Sequence, residues 1–256
     1  MMHRSIVSLL LALSAPCAGF AQLAPVRIIL VGDSTVAPGN GWGPGFCADV
    51  TAQVSCLNMA KNGRSTKSYR AEGLWKDVIA ALQHKAEFSG TWVFIQFGHN
   101  DQPGKPMPAD PATEFPANMR RYVREVRETG AHAVLITPLT RRTFKDRKLN
   151  DTLEPWAAGT RQAAKDEKVP LLDLNTISAA AVQKMGPIEA NKLAMTTPPQ
   201  AVIDAALQGN TITVPANPPT TFDYTHLGER GSVFFGRMVA DEVSKTIPEL
   251  RAYIKR

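Results

Sequence analysis

The sequence predicts an α/β protein in which a parallel β-sheet is covered by helices on both faces. Short apolar runs rich in β-branched residues alternate along the chain with longer amphipathic segments, and this alternation is typical of a parallel sheet. The chain has 256 residues, of which 44% are hydrophobic and 20% are charged. We therefore expect one domain of ordinary size, with a core large enough to be stable without added cross-links.

The first predicted strand, residues 26–31, shows the pattern that the other strands repeat. Its residues are apolar or β-branched with one exception, and Gly32 ends the run. A short apolar run that ends at a glycine is typical of a buried strand in a parallel sheet. The same reasoning predicts five strands, at residues 26–31, 54–60, 92–97, 133–138 and 171–174.

Helices are predicted between these strands, where apolar residues recur three or four positions apart. The loop after the third strand, residues 103–111, contains too many prolines to be helical. The predicted helices span residues 46–51, 74–82, 112–129, 156–167, 177–185 and 231–244. Residues 190–221 form a long proline-rich connection with a short helical piece near residues 202–207. Loops of this length in compact domains are often functional.

The N-terminal residues are predicted to be a signal peptide. A basic start is followed by an apolar run, residues 6–13, and by small residues that suit cleavage near Ala21. The apolar run is too short to span a bilayer as a retained helix. We therefore expect residues 1–21 to be removed and residues 22–256 to form a single domain. The protein is then secreted or periplasmic, without a membrane anchor.

Removal of the signal peptide leaves two cysteines, Cys47 and Cys56. An exported protein works in an oxidising space, and this favours a disulfide between them. Two buried free thiols are the alternative interpretation.

The chain is basic, with a formal net charge of +6 at pH 7. Its densest basic run, residues 141–148, is predicted to be a solvated loop. A basic face toward an acidic polysaccharide is the alternative interpretation of this run. No nucleic-acid-binding motif accompanies the charge, so nucleic acid is not an expected partner.

Polar residues follow the first three predicted strands, whose carboxyl ends form the ligand crevice of a parallel sheet. Acyl transfer needs a nucleophile, a base, a group that orients the base and donors for the oxyanion. Ser34 is the candidate nucleophile, His226 the base and Asp223 the residue that orients the base. The candidate oxyanion donors are the Asn100 amide and the backbone N–H groups of Gly63 and Ser34. An ordinary turn or helix-capping serine is the alternative interpretation of Ser34.

These blocks of sequence resemble the SGNH/GDSL hydrolases, a family named after a serine, a glycine, an asparagine and a histidine. The four matching blocks span residues 32–35, 62–65, 98–101 and 223–226. The resemblance implies a flavodoxin-like, three-layer α/β/α sandwich with a five-stranded parallel sheet, and ester hydrolysis without a metal or other cofactor. Thr35 and residues 58–69 make the chain similar to rhamnogalacturonan acetylesterases, which remove acetyl groups from pectin-type polysaccharide.

Three residues on loops near the expected crevice, Trp42, Arg64 and Tyr69, are candidate substrate contacts. Aromatic rings and arginines are good partners for sugar faces and carboxylates. Surface packing explains the same three residues equally well.

Other polar residues near the expected site are predicted to be structural. Asp33 is expected to hold the turn beside Ser34, Asp101 to hold loop amides, and His99 to pack within its loop. The histidines and acids show no metal-ligand spacing, so neither a metal nor another cofactor is expected.

The sequence thus predicts a monomeric secreted serine esterase. Its expected partner is an acetylated plant polysaccharide or oligosaccharide, of the rhamnogalacturonan, pectin or xylan type. A lysophospholipase, an arylesterase or a peptidoglycan O-acetylesterase with the same site is the alternative. An inactive carbohydrate-binding relative is the alternative from another class of protein.

Overall fold

The computed structural model describes residues 23–84, 87–214 and 221–255. The predicted signal peptide and the prolines at 215, 218 and 219 lie outside these residues. The described strands are β1 (Val26–Gly32), β2 (Val54–Asn58), β3 (Gly90–Gln96), β4 (His132–Ile136), β5 (Phe144–Lys145), β6 (Lys148–Leu149) and β7 (Leu171–Leu172). Within the described residues, no helix is both long enough and apolar enough to cross a membrane.

Five of these strands form one parallel sheet in the order β2-β1-β3-β4-β7. After β1 the chain forms β2 on one side of β1, and it then crosses over to form β3 on the other side. The strand order therefore reverses between β1 and β3. In open α/β sheets the ligand binds at this reversal, beyond the carboxyl ends of the strands. The two remaining strands, β5 and β6, form a small antiparallel hairpin.

Eight helices lie among the described residues, and most occupy the predicted positions. They are α1 (Gly43–Ala48), α2 (Ser68–Ala71), α3 (Leu74–Gln83), α4 (Glu114–Glu128), α5 (Glu154–Glu167), α6 (Leu174–Asn191), α7 (Gln200–Leu207) and α8 (Glu229–Thr246), followed by a 3₁₀ turn, Pro248–Tyr253. The fifth strand is shorter than predicted because Asp173 caps α6, where its side chain accepts from the backbone N–H of Thr176. Gly186 has a φ of 72° and kinks α6.

The alternation of side chains along β1 creates two hydrophobic cores, one on each face of the sheet. Ile28 and Leu30 pack in one core with residues of α1 and α8. Ile29 and Val31 pack in the other with residues of α3 and α4. The result is the three-layer sandwich with a five-stranded parallel sheet that the sequence predicted.

A disulfide joins Cys47 in α1 to Cys56 in β2. The structure therefore confirms the predicted disulfide and not the alternative of two free thiols. The bond ties a helix of one outer layer to the edge strand of the sheet.

Candidate active site

A pocket of about 360 Å³ lies beyond the carboxyl ends of β1 and β3, where the strand order reverses. The turn after β1 brings Ser34 to it, and the loop after β3 brings Asn100. Five of the residues that line this pocket were predicted from the sequence: Ser34, Gly63, Asn100, Asp223 and His226.

A chain of two hydrogen bonds joins three of these side chains. The Ser34 Oγ lies 2.9 Å from Nε2 of His226, and Nδ1 of His226 lies 2.7 Å from Oδ2 of Asp223. The serine and the histidine are 192 positions apart in the sequence, so only the fold brings them together. A nucleophile, a base within reach of it and a carboxylate that orients the base make up the arrangement needed for acyl transfer.

The Asp223 carboxylate is held in its ionised form. Its other oxygen, Oδ1, accepts hydrogen bonds of 2.7 Å from the backbone N–H groups of Thr225 and His226. Burial alone would raise the pKa of Asp223, but the hydrogen bonds and the charge of His226 lower it to about 2. An ionised carboxylate at this position fixes the Nδ1–H tautomer of the imidazole and stabilises the imidazolium that forms during proton transfer.

The loop that carries Asp223 and His226 is fixed by a buried arginine that sequence reasoning missed. The Arg142 guanidinium is fully buried, and it donates to the backbone carbonyls of Asp223, Thr225 and His226 at 3.0, 3.3 and 2.9 Å. The backbone N–H of Arg142 also donates to the carbonyl of Tyr224 at 2.9 Å. Burial lowers the pKa of Arg142 to about 10, which leaves the side chain charged at neutral pH.

The prediction that residues 141–148 form a solvated loop is therefore wrong for the first half of this run. Arg142 and Phe144 are buried, whereas residues 145–148 are exposed at the hairpin between β5 and β6. Arg142 points inward because the carbonyls of residues 223–226 supply acceptors that replace water around its charge.

The other side of the pocket carries the residues expected to bind an oxyanion. The Asn100 amide donates to the backbone carbonyl of Arg64 at 3.3 Å, so one of its two N–H groups is used for orientation. Gly63 lies next to it on the loop after β2, with a φ of 78° that glycine adopts easily.

Residues 30–192 match the model of the GDSL-like lipase/acylhydrolase family. The chain belongs to this family. It is accordingly a carboxylic ester hydrolase. A relative from Bacillus subtilis strain 168, the rhamnogalacturonan acetylesterase RhgT, is 31% identical over 229 residues, which cover 86% of this chain and 90% of the relative.

Solved structures of lower sequence identity share the fold of this acylhydrolase. The crystal structure of the B. subtilis protein YxiM matches with a TM-score of 0.66 at 21% identity, over 87% of this chain and 57% of that chain. A variant of Axe2, an acetylxylan esterase from Geobacillus stearothermophilus, matches with a TM-score of 0.59 at 16% identity, over 88% of this chain and 97% of that chain.

Beneath the serine of this acylhydrolase lies a buried network of polar side chains. Oδ1 of Asp33 accepts from the backbone N–H and the hydroxyl of Thr35, at 2.9 and 2.7 Å. The Gln96 amide donates to the Thr35 hydroxyl at 2.7 Å and accepts from the indole of Trp42 at 2.9 Å. Asp33 thus holds the turn as expected. Gln96 was not anticipated, because nothing in the sequence distinguishes it from another strand residue.

Two of the three candidate substrate contacts are wrong because their rings belong to the core. Trp42 is fully buried, with its indole N–H bonded to Gln96. Tyr69 is fully buried too, and its hydroxyl donates to the backbone carbonyl of Met59 at 2.6 Å. Both residues lie in loop-like sequence, but each polar atom has a partner inside the protein, so burial costs little.

The third candidate, Arg64, does not line the pocket either. Its guanidinium pairs with Glu72 and donates to the backbone carbonyl of Asn62 at 2.6 Å. Its backbone carbonyl instead orients Asn100. The cationic side chains that do line the pocket are Lys105 and Arg141. The sequence did not single out Lys105, whereas Arg141 begins the basic run whose alternative interpretation was a face toward an acidic polysaccharide.

Asp101 connects the loop after β2 to the loop after β3. Its Oδ1 accepts from the backbone N–H of Thr66 at 2.9 Å and from the hydroxyl of the same residue, in agreement with its expected role. Tyr122 supports the contact by donating its hydroxyl to the Thr66 carbonyl at 2.9 Å. Burial raises the pKa of Asp101 to about 7.

His99 forms part of the pocket wall, although packing within its loop was expected. It is 3% exposed, and its Nδ1 lies 3.5 Å from Oδ2 of Asp33. Burial lowers the pKa of His99 despite the neighbouring carboxylate of Asp33, so the imidazole is neutral at pH 7. Among the described residues, no group of three or more His, Cys, Asp or Glu side chains is arranged to hold a metal ion.

Proposed function

We propose that this acylhydrolase is a secreted, monomeric serine esterase that removes O-acetyl groups from a plant cell-wall polysaccharide of the rhamnogalacturonan, pectin or xylan type. The proposal rests above all on the hydrogen-bonded series Ser34, His226 and Asp223 at the edge of the pocket. The name of the B. subtilis relative, a rhamnogalacturonan acetylesterase, supports the substrate class. The sequence of residues 1–21 supports export.

The geometry supports an acyl-enzyme mechanism. Nε2 of His226 takes the proton from Ser34 as Oγ attacks the acetyl carbonyl. The negative charge that develops on the carbonyl oxygen is stabilised by the Asn100 amide and by the backbone N–H groups of Gly63 and Ser34. The imidazolium then returns its proton to the sugar alkoxide as the C–O bond breaks. Water attacks the acetyl-serine with the same base, and acetate leaves while Ser34 regains its proton.

The chemistry of the pocket favours a short acyl group on a polar substrate. A volume of about 360 Å³ is near the lower end for small-molecule sites. Its lining includes charged and amide side chains, such as Lys105, Arg141 and Asn62, whereas a lipid substrate requires a long apolar groove. We therefore rank the lysophospholipase and arylesterase interpretations below deacetylation. Rates on p-nitrophenyl esters of increasing chain length should fall steeply beyond acetate.

Substitution of the nucleophile and the base tests the mechanism. Ser34→Ala and His226→Ala should each lower kcat on p-nitrophenyl acetate by about 10⁴-fold or more, and Asn100→Ala by about 10²–10³-fold. Ser89→Ala is the matched control, because Ser89 lies at the opposite, amino end of β3 and is exposed. A fluorophosphonate probe should label the wild type but not Ser34→Ala. Near-native activity of Ser34→Ala would rule out this mechanism.

The substrate class needs a separate measurement. Acetate release from acetylated rhamnogalacturonan, acetylated xylan and O-acetylated peptidoglycan should be compared at equal acetyl concentration. The proposal predicts the highest rate on one of the two plant polymers. A highest rate on peptidoglycan would replace it with the bacterial-wall alternative, and a folded protein that hydrolyses none of the three would favour an inactive carbohydrate-binding relative.

A further inference from the structure

The pocket has a strong imbalance of charge. Lys105 and Arg141 both line it. The carboxylate among its lining residues, Asp223, is already bonded to the imidazole and to two backbone N–H groups. The pocket therefore offers positive charge to a ligand, and the one carboxylate among its lining residues is already engaged.

Arg141 is positioned by two neutral groups. Its Nε donates to the hydroxyl of Thr225 at 3.2 Å, and its Nη1 donates to the hydroxyl of Thr152 at 2.9 Å. A guanidinium has five N–H groups in a rigid planar fork, so the two threonines fix its orientation and leave the other N–H groups for a ligand.

No carboxylate neutralises this guanidinium at contact distance in the described ranges. Asp33, Asp151 and Asp223 act on it only through longer-range attraction, and the residues outside the described ranges contain no Asp or Glu. Arg141 is half-buried, and this burial lowers the pKa of its guanidinium. A partly buried charge without a paired anion is unfavourable unless a ligand supplies that anion.

We propose that Arg141, assisted by Lys105 at the rim, forms a carboxylate subsite that binds a uronic acid residue of the substrate next to the acetylated sugar. This inference rests on the proposed deacetylase function, and it favours an acidic, pectin-type chain over a neutral xylan backbone. Planar guanidinium groups bind carboxylates with two parallel hydrogen bonds, and this geometry also fixes the orientation of the sugar. In this proposal the subsite orients the sugar chain in the same pocket that Ser34 lines.

A pair of substrates that differ only in charge tests the subsite. One is an O-acetylated galacturonate oligosaccharide, and the other is the same compound with its carboxyl groups converted to primary amides. For the wild type, kcat/KM should be about 10- to 100-fold higher on the acid, the range expected for hydrogen bonds to a charged group. Added salt should reduce this preference, since screening weakens attraction at a partly exposed site.

Variants then assign the preference to residues. Arg141→Gln should bring the ratio of kcat/KM on the acid to kcat/KM on the amide close to one. This expectation holds even if the substitution lowers both values together. Arg141→Lys should keep part of the ratio, because lysine retains the charge but not the planar fork. Lys105→Gln should lower the ratio by a smaller factor. Lys165→Gln removes one exposed charge on α5, outside the pocket, and should leave the ratio unchanged.

The outcomes separate this inference from the proposed function. No acetate released from either substrate by folded wild type would contradict the deacetylase itself. Equal rates on both substrates, or a ratio that survives Arg141→Gln, would overturn the subsite and leave the deacetylase intact. Acetate as a product is the other source of a carboxylate at this position. Inhibition by acetate that is lost in Arg141→Gln, together with equal rates on both substrates, would assign Arg141 to product binding instead.

Discussion

Replacement of Arg142 should show how strongly the catalytic loop depends on one buried side chain. The guanidinium donates to three backbone carbonyls of residues 223–226, at 3.0, 3.3 and 2.9 Å. A hydrogen bond that involves a charged group contributes about 1.5–3 kcal/mol. Water refills part of the space, so we expect Arg142→Ala to lower the free energy of unfolding by about 3–5 kcal/mol. In a domain of this size the loss corresponds to about 10 °C in Tm.

The same substitution should lower kcat more than it raises KM. Arg142 is not among the residues that line the pocket, but it fixes the loop that holds His226 at 2.9 Å from Ser34. A misplacement of about 1 Å at a catalytic group costs about 10²-fold in rate. We therefore expect kcat on p-nitrophenyl acetate to fall about 100-fold in Arg142→Ala, with KM changed by no more than about threefold.

Two comparisons make this experiment decisive. Lys145→Ala removes an exposed charge from the same basic run, and it should change neither Tm nor kcat appreciably. Guanidinium ion, added well below denaturing concentrations, should restore part of kcat to Arg142→Ala and none to His226→Ala. If Arg142→Ala is folded at the assay temperature and has the kcat of the wild type, the loop does not depend on this side chain and the reasoning fails.

Three other features of the fold give predictions of their own. The pKa of Asp101 is raised to about 7, so its protonated carboxyl contributes stability that is fully present below the pKa of an unfolded aspartate, about 4, and is lost as pH rises from there to about 7. Asp101→Asn should therefore show a smaller drop in Tm than the wild type between about pH 4 and pH 8. Parallel curves would refute this origin. Replacing Cys47 and Cys56 by serine should lower the free energy of unfolding by about 2–3 kcal/mol in urea titrations at nearly constant kcat; an unchanged urea midpoint would contradict it. Gly63 has a φ of 78°, and nothing lies within 4 Å of a Cβ added there. Gly63→Asn should therefore retain a higher kcat than Gly63→Val, because asparagine tolerates this backbone conformation better than valine. Equal kcat values for the two variants would show that the backbone conformation is not limiting.

The sheet and most of the pocket could be predicted because both depend on local patterns. Apolar runs that end at Gly32 or at Gly98 mark strands whose carboxyl ends meet at one edge of the sheet. Polar residues just beyond those runs, such as Ser34 and Asn100, then have to lie at that edge. The least accurate boundaries were those of α6, which was predicted at residues 177–185 but spans Leu174–Asn191. The fifth strand is two residues shorter than predicted because Asp173 starts α6.

The assignment of substrate contacts failed because a loop position does not determine exposure. Trp42 lies in a stretch rich in glycine and proline, yet its indole N–H bonds to Gln96, 54 positions away. Tyr69 follows a polar loop, yet its hydroxyl finds a backbone acceptor beneath the surface. Such partners are set by tertiary packing, and a single sequence does not show which polar atoms will meet.

The basic run was misinterpreted because its charges were treated as one group. Residues 141–144 approach β5 as an extended segment, and their burial alternates, with Arg142 and Phe144 inside and Arg141 and Thr143 nearer the surface. Successive side chains of an extended chain point to opposite sides. Two adjacent arginines are thereby given different surroundings: one is enclosed by the carbonyls of the catalytic loop, and the other faces the pocket. The sequence contains the pattern that predicts the burial of Arg142. Phe144 follows it by two positions, and residues two positions apart lie on the same side of an extended chain.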